Sequence, residues 1–134
     1  MRRNGTFHLP DEPVHLGLGA TTTPQEPFDN SMAWYDRYVE RNAADGVEGR
    51  LVSLATFDTP WAMWEVHPNG EELVVCTAGR ITLHQEIDGE TRTVTLETGD
   101  AVVNPPGVWH TADVDGSATA LFITPGLGTT HRPR

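Results

Sequence analysis

The sequence predicts an all-β domain, a barrel or sandwich carrying one helix, and three observations point there. From Arg50 onward apolar residues recur with a period of two, the repeat of half-buried strands. Turn-forming runs punctuate them, among them Asp88-Gly89, Thr98-Gly99-Asp100 and Asp115-Gly116. Only residues 31–44 show helical spacing. A chain of 134 residues is long enough for one domain with a real core and too short for two comfortable ones.

The elements follow in order. Residues 1–30 form an arm broken by Pro10, Pro13, Pro24 and Pro27, in which 14–18 alternates weakly as a short edge strand. The helix over 31–44 is capped by Asn30 or Ser31 and stops before Gly46. Its stripe of Trp34, Tyr35, Tyr38 and Val39 is expected to pack on the sheet. Strands are expected over 51–57, 60–67, 72–76, 80–87, 92–96, 101–103, 108–114 and 118–124. The division is therefore 1–48 as arm and helix, 49–125 as barrel and 126–134 as a loose tail.

Composition excludes several function classes. The formal net charge is −10, and all nine basic residues are scattered arginines, so the chain offers no surface for nucleic acid or an acidic membrane. No apolar run reaches the length of a membrane span. Cys76 is the one cysteine, which fits a reducing cytoplasm and a small core residue rather than a nucleophile. Arg2-Arg3 lacks the following apolar stretch of a twin-arginine export signal.

Chemistry concentrates in two segments. The first runs from Trp64 through Glu65, His67 and Glu72 to Gly79, and the second from Gly99 through Pro105 and Gly107 to His110. Alternation puts Trp61, Met63, Glu65 and His67 on one strand face, so if His67 faces inward Glu65 does too. Two carboxylates and two imidazoles are ligands a transition metal accepts. Without a metal, the same four groups form a coupled acid–base cluster. Glu65 also has the alternative of pairing with an arginine such as Arg80 at the barrel mouth.

The spacing of these segments resembles that of the cupin family. Gly99, Pro105, Gly107 and His110 follow its second motif, and His67, Pro68, Glu72 and Gly79 most of its first. The resemblance implies a jelly-roll β-barrel, a homodimer, and one divalent ion on Glu65, His67, Glu72 and His110, with the same four residues as the catalytic set. Two departures stand out: Glu65 occupies the place of a histidine, and Val114 that of a trailing asparagine. Two carboxylates neutralise a divalent ion, which makes it a weaker Lewis acid. The ligand chemistry suits Mn, Fe, Ni or Zn.

Trp61, Met63 and Phe122 are the expected walls of a small-molecule pocket. Trp109 is expected to pack outward, in a subunit interface. His8, His15 and His131 read as incidental, and His84 as solvated. Metal-free sugar epimerases of related form pair a histidine with a tyrosine; Tyr35 and Tyr38 both fall on the helix, against that chemistry. Three readings remain: a metal-dependent oxygenase, isomerase or decarboxylase; a binding or sensing protein without turnover; and a metal-free Glu/His acid–base catalyst.

Overall fold

The computed structural model describes residues 5–134; Arg2-Arg3 lies outside them. Two long antiparallel strands organise it. β5 (Glu72–Ile87) and β8 (Trp109–Thr124) pair from Leu73↔Ile123 to Glu86↔Trp109, with register shifts around Cys76–Ile81. The sequence suggested two strands in each of these places. Instead, the expected turn at Asp115-Gly116 is an excursion inside β8, opposite Arg80. Gly79 (φ 73°) and Gly116 (φ 82°) let the ribbon bend sharply without losing its pairing. Gly79 also permits close approach, since a Cβ there would sit 2.2 Å from the Ser117 carbonyl oxygen.

The remaining strands are β1 (Val14–Gly17), β2 (Thr21–Pro24), β3 (Arg50–Phe57), β4 (Met63–Val66), β6 (Glu90–Glu97), β7 (Ala101–Asn104) and β9 (Thr130–Pro133). They join in one sheet of order β2-β1-β3-β8-β4-β9, with β5 also carrying β6 and β7. This is a jelly-roll barrel whose hydrogen-bond ladder does not close. Alternate residues of the long strands fill its interior. Val74, Cys76, Ile81, Leu83, Leu96, Ala112, Ala120 and Phe122 are buried together, so the inner face is apolar along most of its length.

The helix α1 spans Met32–Arg41, with the Ser31 hydroxyl accepting from the Trp34 backbone N–H at 3.2 Å. Trp34 and Tyr38 are buried against Leu51 of β3, so the aromatic stripe packs on the sheet as expected. Among the described residues no helix is long and apolar enough to cross a membrane.

Three expectations about the ends of the chain need correction. The strand in the arm is no edge: β1 lies between β2 and β3. His15 is not incidental. It is buried and joins the Tyr38 hydroxyl (2.7 Å) to the Asp45 carboxylate (2.6 Å), tying β1 to the helical layer. A Cβ on Gly49 would lie 2.7 Å from its ring, so the neighbouring backbone is fitted to it. A cavity of about 220 Å³ adjoins His15 and Tyr38 outside the barrel.

The tail is not loose either. β9 pairs with β4 from Met63↔Pro133 to Val66↔Thr130. The Arg132 guanidinium lies 4.4 Å from the centre of the Trp109 ring and 5.3 Å from that of Trp64, and it pairs with Glu86. Arg134 donates to Asp113 at 2.6 Å. Cation–π contacts and ion pairs, which Pro/Gly/Thr content does not disclose, hold this segment down. Trp109 does point outward, where Arg132 of its own chain covers it.

Candidate functional site: a Glu/His cluster at one end of the barrel

Register builds the site. Glu65 on β4 lies opposite His110 on β8 and, on its other side, opposite His131 on β9. His110 in turn lies opposite Gln85 on β5. Residues directly opposite in antiparallel strands share a face. His131, Glu65, His110 and Gln85 therefore form one row across four strands. His67 joins the row from the end of β4, and the Pro105-Pro106-Gly107 corner leads into the strand that carries His110.

Ligand atoms of Glu65, His67 and His110 all lie within 4.8 Å of one another, a grouping that suits a metal ion. Glu72 stands outside this trio but touches both imidazoles. Its Oε2 is 3.2 Å from His67 Nε2 and its Oε1 3.2 Å from His110 Nε2. The same carboxylate accepts from the Asn104 amide (2.9 Å) and the Thr124 hydroxyl (2.5 Å). Gln85 donates to the Asn104 side-chain oxygen at 2.7 Å, so a chain of amides ends on Glu72 and fixes it.

The outer nitrogens of both imidazoles are engaged. His67 Nδ1 meets the Thr129 hydroxyl at 2.8 Å, and His110 Nδ1 donates to the Val108 carbonyl at 3.2 Å. A carbonyl only accepts, so neutral His110 carries its proton on Nδ1 and a bare lone pair on Nε2. Both Nε2 atoms are buried and lack a hydrogen-bond partner of acceptable geometry. A lone pair 3.2 Å from a carboxylate oxygen is repulsive unless a positive charge lies nearby. Either a proton or a metal cation resolves this, so the residues present fit a divalent ion.

The titration directions agree. Burial opposes ionisation of Glu72, yet His110 and His67 hold its carboxyl far below the usual range. Burial works against the His110 imidazolium, and Glu72 and Glu65 outweigh it to raise the pKa. His131 is raised chiefly by Glu65, whose Oε2 is 3.7 Å from its Nε2. Tyr35 of α1 is pushed up to about 12 by desolvation and by the charge of Glu65.

Of the expected pocket walls, Trp61 and Phe122 sit together with Phe57, ring centres 5.4–6.0 Å apart, while Met63 is 37% exposed. The Trp61 indole N–H and the Gln85 side-chain oxygen are buried without partners. Arg80 pairs with Glu97, leaving Glu65 to the histidines. His84 is held by Thr93 and Asp113 on the outside of the barrel rather than solvated. His131, Thr129, Gln85 and Asn104 were missed. Two of them lie in the presumed tail, and for the two amides the only signal was a polar residue at an inward position of a strand.

A small jelly-roll with two imidazoles and a carboxylate converging at one end of its interior defines a class, and comparison with known proteins agrees. The Cupin domain profile matches residues 56–125, just over half of the sequence. The chain belongs to the cupin family. No curated protein matches it. Among solved structures, it is 20% identical to a cupin-2 domain protein from Shewanella frigidimarina, covering 63% of this chain and 71% of that one (TM-score 0.48). With the Bacillus subtilis oxalate decarboxylase, described with Mn(II) centres, identity is 21% over 71% of this chain and 26% of the other (TM-score 0.54). With a hydroquinone 1,2-dioxygenase from Sphingomonas the identity is 17% over 56% and 58% (TM-score 0.48). At these identities the likeness is one of fold.

Proposed function

We propose that the protein binds one divalent metal ion on Glu65, His67 and His110, and uses it on a small molecule held in the barrel. The carrying observation is the pair of buried Nε2 atoms without partners, beside the ionised Glu72. Two histidines and one carboxylate are the ligand set of non-haem iron(II) enzymes, and Mn, Ni or Zn are also compatible. Such an ion supplies Lewis acidity and, for a redox metal, electron transfer. The reaction class is oxygenation, isomerisation or decarboxylation of a small organic acid or related metabolite.

The chain's own groups have distinct parts in this reading. The Val108 carbonyl fixes the tautomer of His110 and the Thr129 hydroxyl orients the His67 ring, so both rings turn Nε2 toward the cluster. Glu72, kept in place by Asn104 and Thr124, compensates positive charge on the Nε2 side of both rings or ligates directly. Trp61, Met63 and Phe122 supply apolar wall. The working unit in this reading is a cytoplasmic homodimer, with residues 49–125 as the barrel, 1–48 as its cover and 126–134 completing the site.

Elemental analysis of protein purified without added metal tests the centre. We expect about one equivalent of metal, lost in His67→Ala and His110→Ala variants that keep their circular dichroism. Stoichiometric metal persisting in both variants, or none bound by the wild type after loading with Fe(II), Mn(II), Ni(II) and Zn(II), removes the basis of the proposal. A metal-free Glu/His catalyst would be left in the second case. Turnover abolished by His67→Ala separates an enzyme from a binding protein.

A further inference from the structure

We propose that His131, on the C-terminal strand and outside the segment that matches the family, is a further nitrogen ligand of this centre. The proposal rests on the metal-binding reading above and adds a residue from a part of the chain that carries neither motif.

Placement is the first argument. Glu65 has His110 directly opposite on one side and His131 on the other, so the carboxylate is the middle member of a row with imidazoles at both ends. Spacing is the second. His131 Nε2 lies 3.7 Å from Glu65 Oε2, and His67 Nε2 lies 3.8 Å from the same oxygen. Two imidazole nitrogens thus stand at nearly equal distances from one carboxylate oxygen, each too far for a hydrogen bond. Metal bonds of about 2.0–2.2 Å separate neighbouring donors by about 3–3.5 Å and opposite ones by about 4 Å. Both separations lie between those two values, a few tenths of an ångström beyond neighbouring donors, so His131 reaches an ion held by Glu65 and His67 only by a side-chain adjustment toward Glu65.

Anchoring is the third argument. On one side of His131 in the sequence, Thr129 holds His67; on the other, Arg132 is seated between Trp64 and Trp109, and Arg134 on Asp113. The segment is fastened on both flanks, while the His131 side chain keeps 31% exposure and can turn. His131 arrives on the strand adjacent to Glu65 and directly opposite it, the one imidazole of this row supplied from β9.

A plain imidazolium–carboxylate pair is the competing account, and counting nitrogens separates the two. Wild type, His131→Ala and His131→Gln are loaded with Cu(II) and with Mn(II), and ¹⁴N couplings are read by pulsed electron paramagnetic resonance alongside metal dissociation constants. We expect three imidazole couplings in the wild type, two in each variant, and affinity weakened about 10–100-fold. His131→Gln keeps a polar side chain beside Glu65 but has no ring nitrogen, so a coupling lost in both variants reports the imidazole itself, whereas an ion pair alone gives the wild type no third coupling to lose. Two couplings in the wild type, or an unchanged count and affinity in the variants, overturn the assignment while leaving the Glu65/His67/His110 centre intact. A wild type that binds neither metal overturns the assignment, and one that also takes up no Fe(II), Ni(II) or Zn(II) overturns both readings.

Discussion

Glu72→Gln is the most searching perturbation of the cluster. It keeps the shape of the side chain and removes its charge. In the metal-free protein, Glu72 is ionised and His110 favours its proton, so each stabilises the charged form of the other across 3.2 Å. Both groups are almost fully buried, so solvent screening is slight. A buried charge-assisted contact contributes about 1.5–3 kcal/mol, and the imperfect geometry argues for the lower half of that range, about 2 kcal/mol.

The pH dependence has a definite sign. The folded pKa of Glu72 is depressed, so its contribution is present above the ordinary 4.5 and is lost as pH falls toward the folded value. That of His110 is raised, so its contribution is complete below the ordinary 6.5 and is lost as pH rises through the folded value. The stability gap between chelator-stripped wild type and Glu72→Gln should therefore be widest between about pH 5 and pH 6, and should close toward pH 9. Urea unfolding at each pH measures the gap. The His110 ring protons, followed by NMR, should titrate at lower pH in the variant. A gap that is flat from pH 5 to 9, with His110 titrating unchanged, would falsify the pairing.

Two further predictions concern the frame of the site. Gly79→Ala combines a left-handed backbone with a Cβ 2.2 Å from the Ser117 carbonyl, and should cost about 2–5 kcal/mol in urea unfolding; a loss under about 1 kcal/mol contradicts the close approach. Arg132→Ala removes two ring contacts and an ion pair, and should cost about 1–2 kcal/mol while speeding amide exchange across Thr130–Pro133. Unchanged exchange there would mean that the backbone pairing alone holds β9.

The sequence by itself determined the fold class, the helix and the candidacy of Glu65, His67, Glu72 and His110 as inward-facing site residues. Strand alternation and turn chemistry are local properties, and the two motifs carry their spacing on the page. The bent continuity of β5 and β8 was not legible, because Gly79 and Gly116 look like turns until the pairing of distant strands holds them. Nor was the place of His131, Thr129, Gln85 and Asn104. Each enters the site through the register of a strand far away in the chain, and a one-residue slip would turn it to the other face. His15 gave no local signal either; only packing of the helical layer brings Tyr38 and Asp45 to its two nitrogens. Which side chains can reach the barrel is local information, whereas which ones meet there depends on strand pairing, and only the tertiary structure sets that.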